Sequence, residues 1–206
     1  MKILVVGAHP DDIEIGCGGT VLKFLDEGHE IDLLVLVKPS NEVNVKRNET
    51  IVNEELFKSS FILKHNFKIH NTQLFENGRP NLQCNVNVIT EIENLLNKSN
   101  YDLMIIPCNE DTHKDHKTAY EICMSYARNG IKEIWEVGHP LYSHNYQTFV
   151  PNLFVNIEKY FTKKLELLNC YSSYLDKNKI DEIIRHNIYY GRGIPAETFK
   201  IIKKYI

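Results

Sequence analysis

The chain has 206 residues, 43% of them hydrophobic and 25% charged, with a formal net charge of −3 at pH 7. A chain of this length buries a hydrophobic core without disulfide staples, and the composition is that of a water-soluble globular protein. The charge balance argues against a nucleic-acid binder, which carries a strong basic excess, and no stretch approaches the ~20 apolar residues needed to span a bilayer.

In chain order, Ile3–Val6 reads as a buried strand, Thr20–Glu27 as a helix with Gly28 suited to its C-terminal cap, and Ile31–Val37 as a second apolar run. Arg47–Leu63 reads as helical, Phe67–Ile69 as a short strand and Val86–Asn97 as an amphipathic helix. Leu103–Ile106 is another buried strand, Lys117–Arg128 a helix and Ile131–Val137 a strand. His139–Pro151 is a polar, aromatic loop, Leu153–Ile157 adds a strand, and Glu158–Ile206 reads as mostly helical, broken near Gly191-Arg192-Gly193 and Pro195. Continuous apolar strands alternating with helices imply an α/β fold. The expected architecture is Rossmann-like and doubly wound: a mostly parallel sheet, helices on both faces and a helical C-terminal portion, with residues 1–206 forming a single domain. The five cysteines, Cys17, Cys84, Cys108, Cys123 and Cys170, are odd in number and lack Cys-x-x-Cys spacing. That pattern points to a reducing compartment, and the opening apolar run is too short for a signal peptide, so a cytoplasmic protein is expected.

Two clusters carry chemistry. The first strand ends at Gly7, and Ala8-His9-Pro10-Asp11-Asp12 follows. Ligands bind outside the carboxyl ends of strands in open α/β sheets, so a histidine and two aspartates stand where a site is expected. Taken alone, Asp-Asp before a helix reads as N-terminal capping. Adjacent aspartates differ in direction on extended backbone, which lets one bind a metal while the other faces a metal-bound water. Gly16-x-Gly18-Gly19 does not match the dinucleotide fingerprint, because nine residues separate Gly7 from Gly16. These glycines instead suit a close approach of the helix start to the sheet.

A hundred residues on, Leu103–Ile106 is followed by Asp111-Thr112-His113-Lys114-Asp115-His116. His113 and His116 share one side if the segment is helical or turn-like. Parallel topology puts both clusters on one edge of the sheet, where they can converge on a metal. Three protein ligands with an open position is the catalytic zinc pattern. Two histidines and a carboxylate equally form the facial triad of an iron(II) enzyme.

Ala-His-Pro-Asp-Asp at positions 8 to 12, with His-x-Asp-His at 113 to 116, resembles the LmbE-like / PIG-L family of N-acetylglucosaminyl deacetylases. Pro151–Ile157 is similar to the family's Pro-x-x-Phe-Val-Asp-Ile segment, and Ala196-Glu197-x-Phe199 to its closing Ala-Glu-x-Phe. The resemblance implies a zinc-dependent hydrolase that removes the acetyl group from an N-acetylated amino sugar, nucleotide sugar or glycoconjugate. It implies His9, Asp12 and His116 as metal ligands, with Zn2+ the expected ion and Fe2+ the alternative. Asp11 becomes the general base. His113 steadies the oxyanion or protonates the leaving amine, and Asp115 tunes or orients it. Arg47 contacts the sugar, and Asn77, Tyr142 and His144 are further substrate-binding candidates from neighbouring loops. Relatives of this size self-associate, so a homo-oligomer is expected. Departures lie at Thr50, Asn77, Asn156 and Tyr174, where the family has other residues, and they bear on which sugar is taken. A zinc amidase for a non-sugar amide or thiol conjugate is the alternative activity. The alternative from another class is a non-catalytic sugar-binding relative, which would need neither Asp11 nor His113.

Overall fold

A computed structural model of the protein describes residues 1–37, 48–70, 75–76, 79–97, 99–141 and 149–204. The chain opens with β1 (Lys2–Gly7), α1 (Asp12–Asp26), β2 (Glu30–Val35), α2 (Glu49–Leu63) and β3 (Phe67–Ile69). A two-stranded ribbon of β4 (Phe75–Glu76) and β5 (Arg79–Pro80) precedes α3 (Val86–Leu95), β6 (Leu103–Pro107), α4 (Lys114–Tyr126) and β7 (Glu133–Val137). The last third supplies β8 (Leu153–Asn156), α5 (Phe161–Asn169), α6 (Lys177–Tyr190) and β9 (Ala196–Lys204).

Seven strands form one sheet in the order β3-β2-β1-β6-β7-β9-β8. The first five in that order are mutually parallel, whereas β9 runs antiparallel to both β7 and β8. The order reverses between β1 and β6, which pair directly through Ile3–Leu103, Leu4–Met104 and Val5–Ile105. Both carboxyl ends therefore emerge side by side at the switch point where α/β sheets bind ligands.

Side-chain alternation on the strands builds two apolar layers. Leu4, Val6, Leu34, Met104 and Ile106 face Val88 and Ile92 of α3 and Ala119, Ile122 and Tyr126 of α4. Ile3, Val5, Leu33 and Ile105 face Ile13, Val21 and Phe24 of α1 and Leu167 of α5. Fully burying a valine, leucine, isoleucine, phenylalanine or methionine side chain contributes about 1.5–3 kcal/mol relative to exposure. The doubly wound, mostly parallel sheet expected from the sequence is thus what the chain forms.

Two expectations are corrected. The mostly helical C-terminal portion holds for α5 and α6, but Ala196–Lys204 is a strand. Thr198, Phe199, Ile201 and Ile202 favour extended backbone, and Phe199 is fully buried beside Trp135, completing the sheet next to β7. Helix α1 starts at Asp12, eight residues before the Thr20 start expected, because Gly16, Gly18 and Gly19 lie inside it.

The glycines in α1 serve close packing, as the sequence suggests. A Cβ at Gly16 would stand 2.9 Å from Val137 Cγ2, and one at Gly19 would stand 2.8–2.9 Å from three side-chain atoms of Ile157. Gly19→Ala is expected to cost about 1–3 kcal/mol by overpacking, read from urea unfolding. In an Ile157→Ala background the same change is expected to cost much less; an equal cost in both backgrounds would show that this contact is not the cause.

Candidate metal centre

Both loops at the switch point follow from local chemistry. After β1 the backbone turns sharply at Asp11, whose φ of 108° is left-handed and strained for a residue with a Cβ. The turn starts α1 within one residue and presents Asp12 in its first turn, beside the positive end of the helix dipole. After β6, His113 caps α4: its Nδ1 accepts the Asp115 N–H at 3.2 Å. Helical spacing then places His116 one turn on, with the ring centroids of His113 and His116 4.8 Å apart.

The two loops meet at Asp12. Its Oδ2 accepts the His9 N–H at 2.7 Å and lies 3.4 Å from His9 Nδ1 and 3.3 Å from His116 Nε2. On the far side of His116, Nδ1 bonds Asp111 Oδ2 at 2.7 Å. Nδ1 donates to this carboxylate, which leaves Nε2, turned toward Asp12, as the ring atom able to bind a cation once its proton is lost. His9 Nε2 meets Asp115 Oδ2 at 3.0 Å. His139 Nδ1 accepts the Leu141 N–H at 3.3 Å, and its Nε2 lies 3.6 Å from Asp12 Oδ1. One ligand atom from each of His9, His113 and His116 also falls within 4.8 Å of the others.

The electrostatics are those of a buried carboxylate cluster around imidazoles. Burial opposes protonation of His9 and His116, but the carboxylates outweigh it. Asp115 and Asp12 raise the His9 pKa to about 9, and Asp12 and Asp111 raise that of His116 to about 10. Burial, with the neighbouring His9 and His116 charges, lowers the pKa of His113. Burial pushes His139 down to about 3, so it is a neutral ring. Burial opposes ionisation of Asp12, and the His116 and His9 rings override it and hold its pKa well below the usual carboxylate range. Such a set of buried, electron-rich donors fits a divalent cation, whose charge would replace the protons on the two rings.

His9, Asp12, His113, Asp115 and His116 are brought together, and Asp11 is buried at the same turn, 3% exposed. The Asp115 carboxylate bonds His9, while its backbone N–H is what meets His113. Arg47, Asn77, Tyr142 and His144 lie outside the described residues. Asp111 and His139 were not singled out from the sequence. Their signal was position, since each follows the carboxyl end of a strand at the same sheet edge as His9.

The profile of the family described as "PIG-L: GlcNAc-PI de-N-acetylase" matches residues 4–127. The chain belongs to the PIG-L family. This PIG-L chain is 30% identical over 179 residues to an uncharacterized deacetylase of Escherichia coli, YaiS, covering 83% of this chain and 90% of the relative. It is 26% identical over 196 residues to the diacetylchitobiose deacetylase of Thermococcus kodakarensis, covering 84% of this chain and 69% of that protein. Its fold also matches the crystal structure of GalB, the 4-carboxy-2-hydroxymuconate hydratase from Pseudomonas putida, at a TM-score of 0.79 and 13% identity, covering 100% of this chain and 97% of the other. The shared fold therefore hosts more than one reaction, and the deacetylase assignment rests on family membership.

The strained turn of this PIG-L chain makes a stability prediction. Asp11→Gly is expected to be more stable than Asp11→Ala by about 1–2 kcal/mol, because glycine lacks the Cβ that penalises left-handed backbone. Thermal melts of the two variants check it; equal stability would mean the left-handed turn is not retained.

Proposed function

We propose that this PIG-L deacetylase family member is a metal-dependent hydrolase of the acetamide in an N-acetylated amino sugar or its conjugate, with the whole 1–206 chain acting as one domain. The observation that carries the reading is Asp12 Oδ2 lying 3.3–3.4 Å from ring nitrogens of both His9 and His116, two groups a hundred residues apart. His9, Asp12 and His116 would hold the ion. His113 belongs to a different role. Its Nδ1 accepts a backbone N–H, so the neutral ring carries its proton on Nε2 and presents a donor there instead of a lone pair. His116 has the opposite arrangement, with Nδ1–H given to Asp111, the outer-partner pattern of metal-bound histidine.

Zinc, when bound, lowers the pKa of its water to about 7 and polarises the amide carbonyl. Asp11 would accept the proton that the attacking water loses. His113 Nε2–H would donate to the oxygen on which charge develops, as a neutral imidazole in keeping with its lowered pKa. Asp11 would then return its proton to the departing amine, and free amino sugar and acetate leave. Burial of Asp11 and His116 keeps bulk water from dispersing these charges. The family description and the named activity of the Thermococcus relative support an N-acetylated sugar as the substrate class.

The direct test is release of primary amine from a panel of N-acetylhexosamine derivatives by metal-loaded protein. Activity that disappears with chelator and returns with zinc supports the reading, and an inert panel with a fully loaded protein contradicts it. Asp11→Ala is expected to retain metal stoichiometry while turnover falls by roughly 10²–10⁴-fold. Near-normal activity in a zinc-replete Asp11→Ala protein would remove Asp11 from the mechanism. Asp111→Asn is expected to weaken zinc binding by about 10–100-fold through loss of the His116 partner, measured by competition with a chromophoric chelator. Unchanged affinity would show that Asp111 does not set the ligand.

A further inference from the structure

Helix α1 is not continuous. Cys17, with φ −145° and ψ 19°, leaves the helical region in its middle. In a regular helix the Ile15 carbonyl and the Gly19 N–H are each other's partners. Here each has a charged side-chain partner from elsewhere in the chain. The Ile15 carbonyl accepts from Lys164 Nζ at 3.0 Å, and the Gly19 N–H donates to Glu197 Oε1 at 2.9 Å. Glu197 Oε2 also accepts from the Thr20 N–H and Thr20 Oγ1, both at 2.6 Å. Lys164 Nζ and Glu197 Oε1 close the loop at 2.5 Å. Both side chains are fully buried. The ammonium caps the carbonyl end of the short first segment and the carboxylate caps the amide end of the second, each where the helix dipole favours its charge.

The first segment, Asp12 to Gly16, is what places Asp12 between His9 and His116. Lys164 comes from α5 and Glu197 from β9, and neither is among the groups that meet at Asp12. We infer that the Lys164–Glu197 pair is a positioning device for the metal centre: spliced into the break of α1, it sets the direction of the first segment and so the placement of the Asp12 carboxylate against the two imidazoles. The inference rests on the metal-centre reading above. It assigns a task to Glu197 that its distance along the sequence from the His/Asp motifs does not suggest.

The test uses the full chain and the double variant Lys164→Met/Glu197→Gln, which removes both charges at nearly constant length and leaves no lone charge buried. Circular dichroism and a cooperative melt establish folding. Two readouts follow. In metal-free protein the His9 and His116 ring resonances are expected to move, while those of His70, which bonds Leu36 and Glu91 instead, stay in place. Titrated with Co2+, the variant is expected to bind roughly tenfold or more weakly than the parent, the scale on which outer partners of metal ligands act, with an altered visible band. A folded variant with parental ring resonances and parental cobalt affinity overturns the inference. Should the double variant not fold, Thr20→Val removes one of the bonds to Glu197 without changing shape and is expected to shift the same two resonances by less; unshifted rings overturn the inference. A parent chain that takes no Co2+ contradicts the metal centre, and the ring resonances still decide the positioning claim.

Discussion

One carboxylate ties the two halves of the chain together. Asp12 is nearly buried, and a lone ion in that place would be costly. Its charge is tolerated because the His9 N–H, the His9 and His116 rings and the neutral His139 surround it. Those partners arrive on three neighbouring strands, β1, β6 and β7, whose carboxyl ends are adjacent because the sheet order reverses between β1 and β6. The fold therefore does more than carry the cluster. The parallel register of β1 with β6 is the condition under which a histidine at position 116 can reach an aspartate at position 12.

Much of this was legible in the sequence, for physical reasons. Buried parallel strands read as apolar runs, so β1 and β6 stand out in the sequence, and residues just past their ends are candidates by topology. The two clusters that contain His9, Asp12 and His116 stand out that way, the family resemblance implies those three as a set, and their side chains do converge. What stayed hidden depends on tertiary partners. Asp111 looks like an ordinary loop acid until its Oδ2 is seen 2.7 Å from His116 Nδ1. His139 was read within a polar aromatic loop, and only the pairing of β6 with β7 brings it to Asp12. The end of the chain falls within a stretch, Glu158–Ile206, whose sequence reads as mostly helical. The sheet decides otherwise, since β7 offers an unpaired edge and Phe199 a side chain to bury. The start of α1 was misplaced because glycines weaken a helical pattern. Here they are required by contacts with Val137 and Ile157 that no local rule contains.

A second buried set lies behind the cluster at Asp12. Glu14, in the same first segment of α1 as Asp12, accepts from Ser59 Oγ and from Tyr171 Oη at 2.6 Å. Burial raises its pKa above the ordinary carboxyl value, so it holds its proton more tightly than a solvated acid. Glu14 and the Lys164–Glu197 pair tether the two sides of the Cys17 break to α2, to α5 and the Tyr171 turn after it, and to β9. The family profile covers residues 4–127, and that portion supplies His9 and His116 at Asp12, whereas His139 lies beyond it. The last third acts on the site from behind, through the helix that carries Asp12.

The central claim is that His9, Asp12 and His116 share one cation. Anomalous diffraction at the zinc edge from crystals of the zinc-saturated protein tests it most directly. The account predicts a single peak about 2.0–2.2 Å from one atom of each of the three side chains. A peak bonded elsewhere, or none between these residues at saturating zinc, would contradict it.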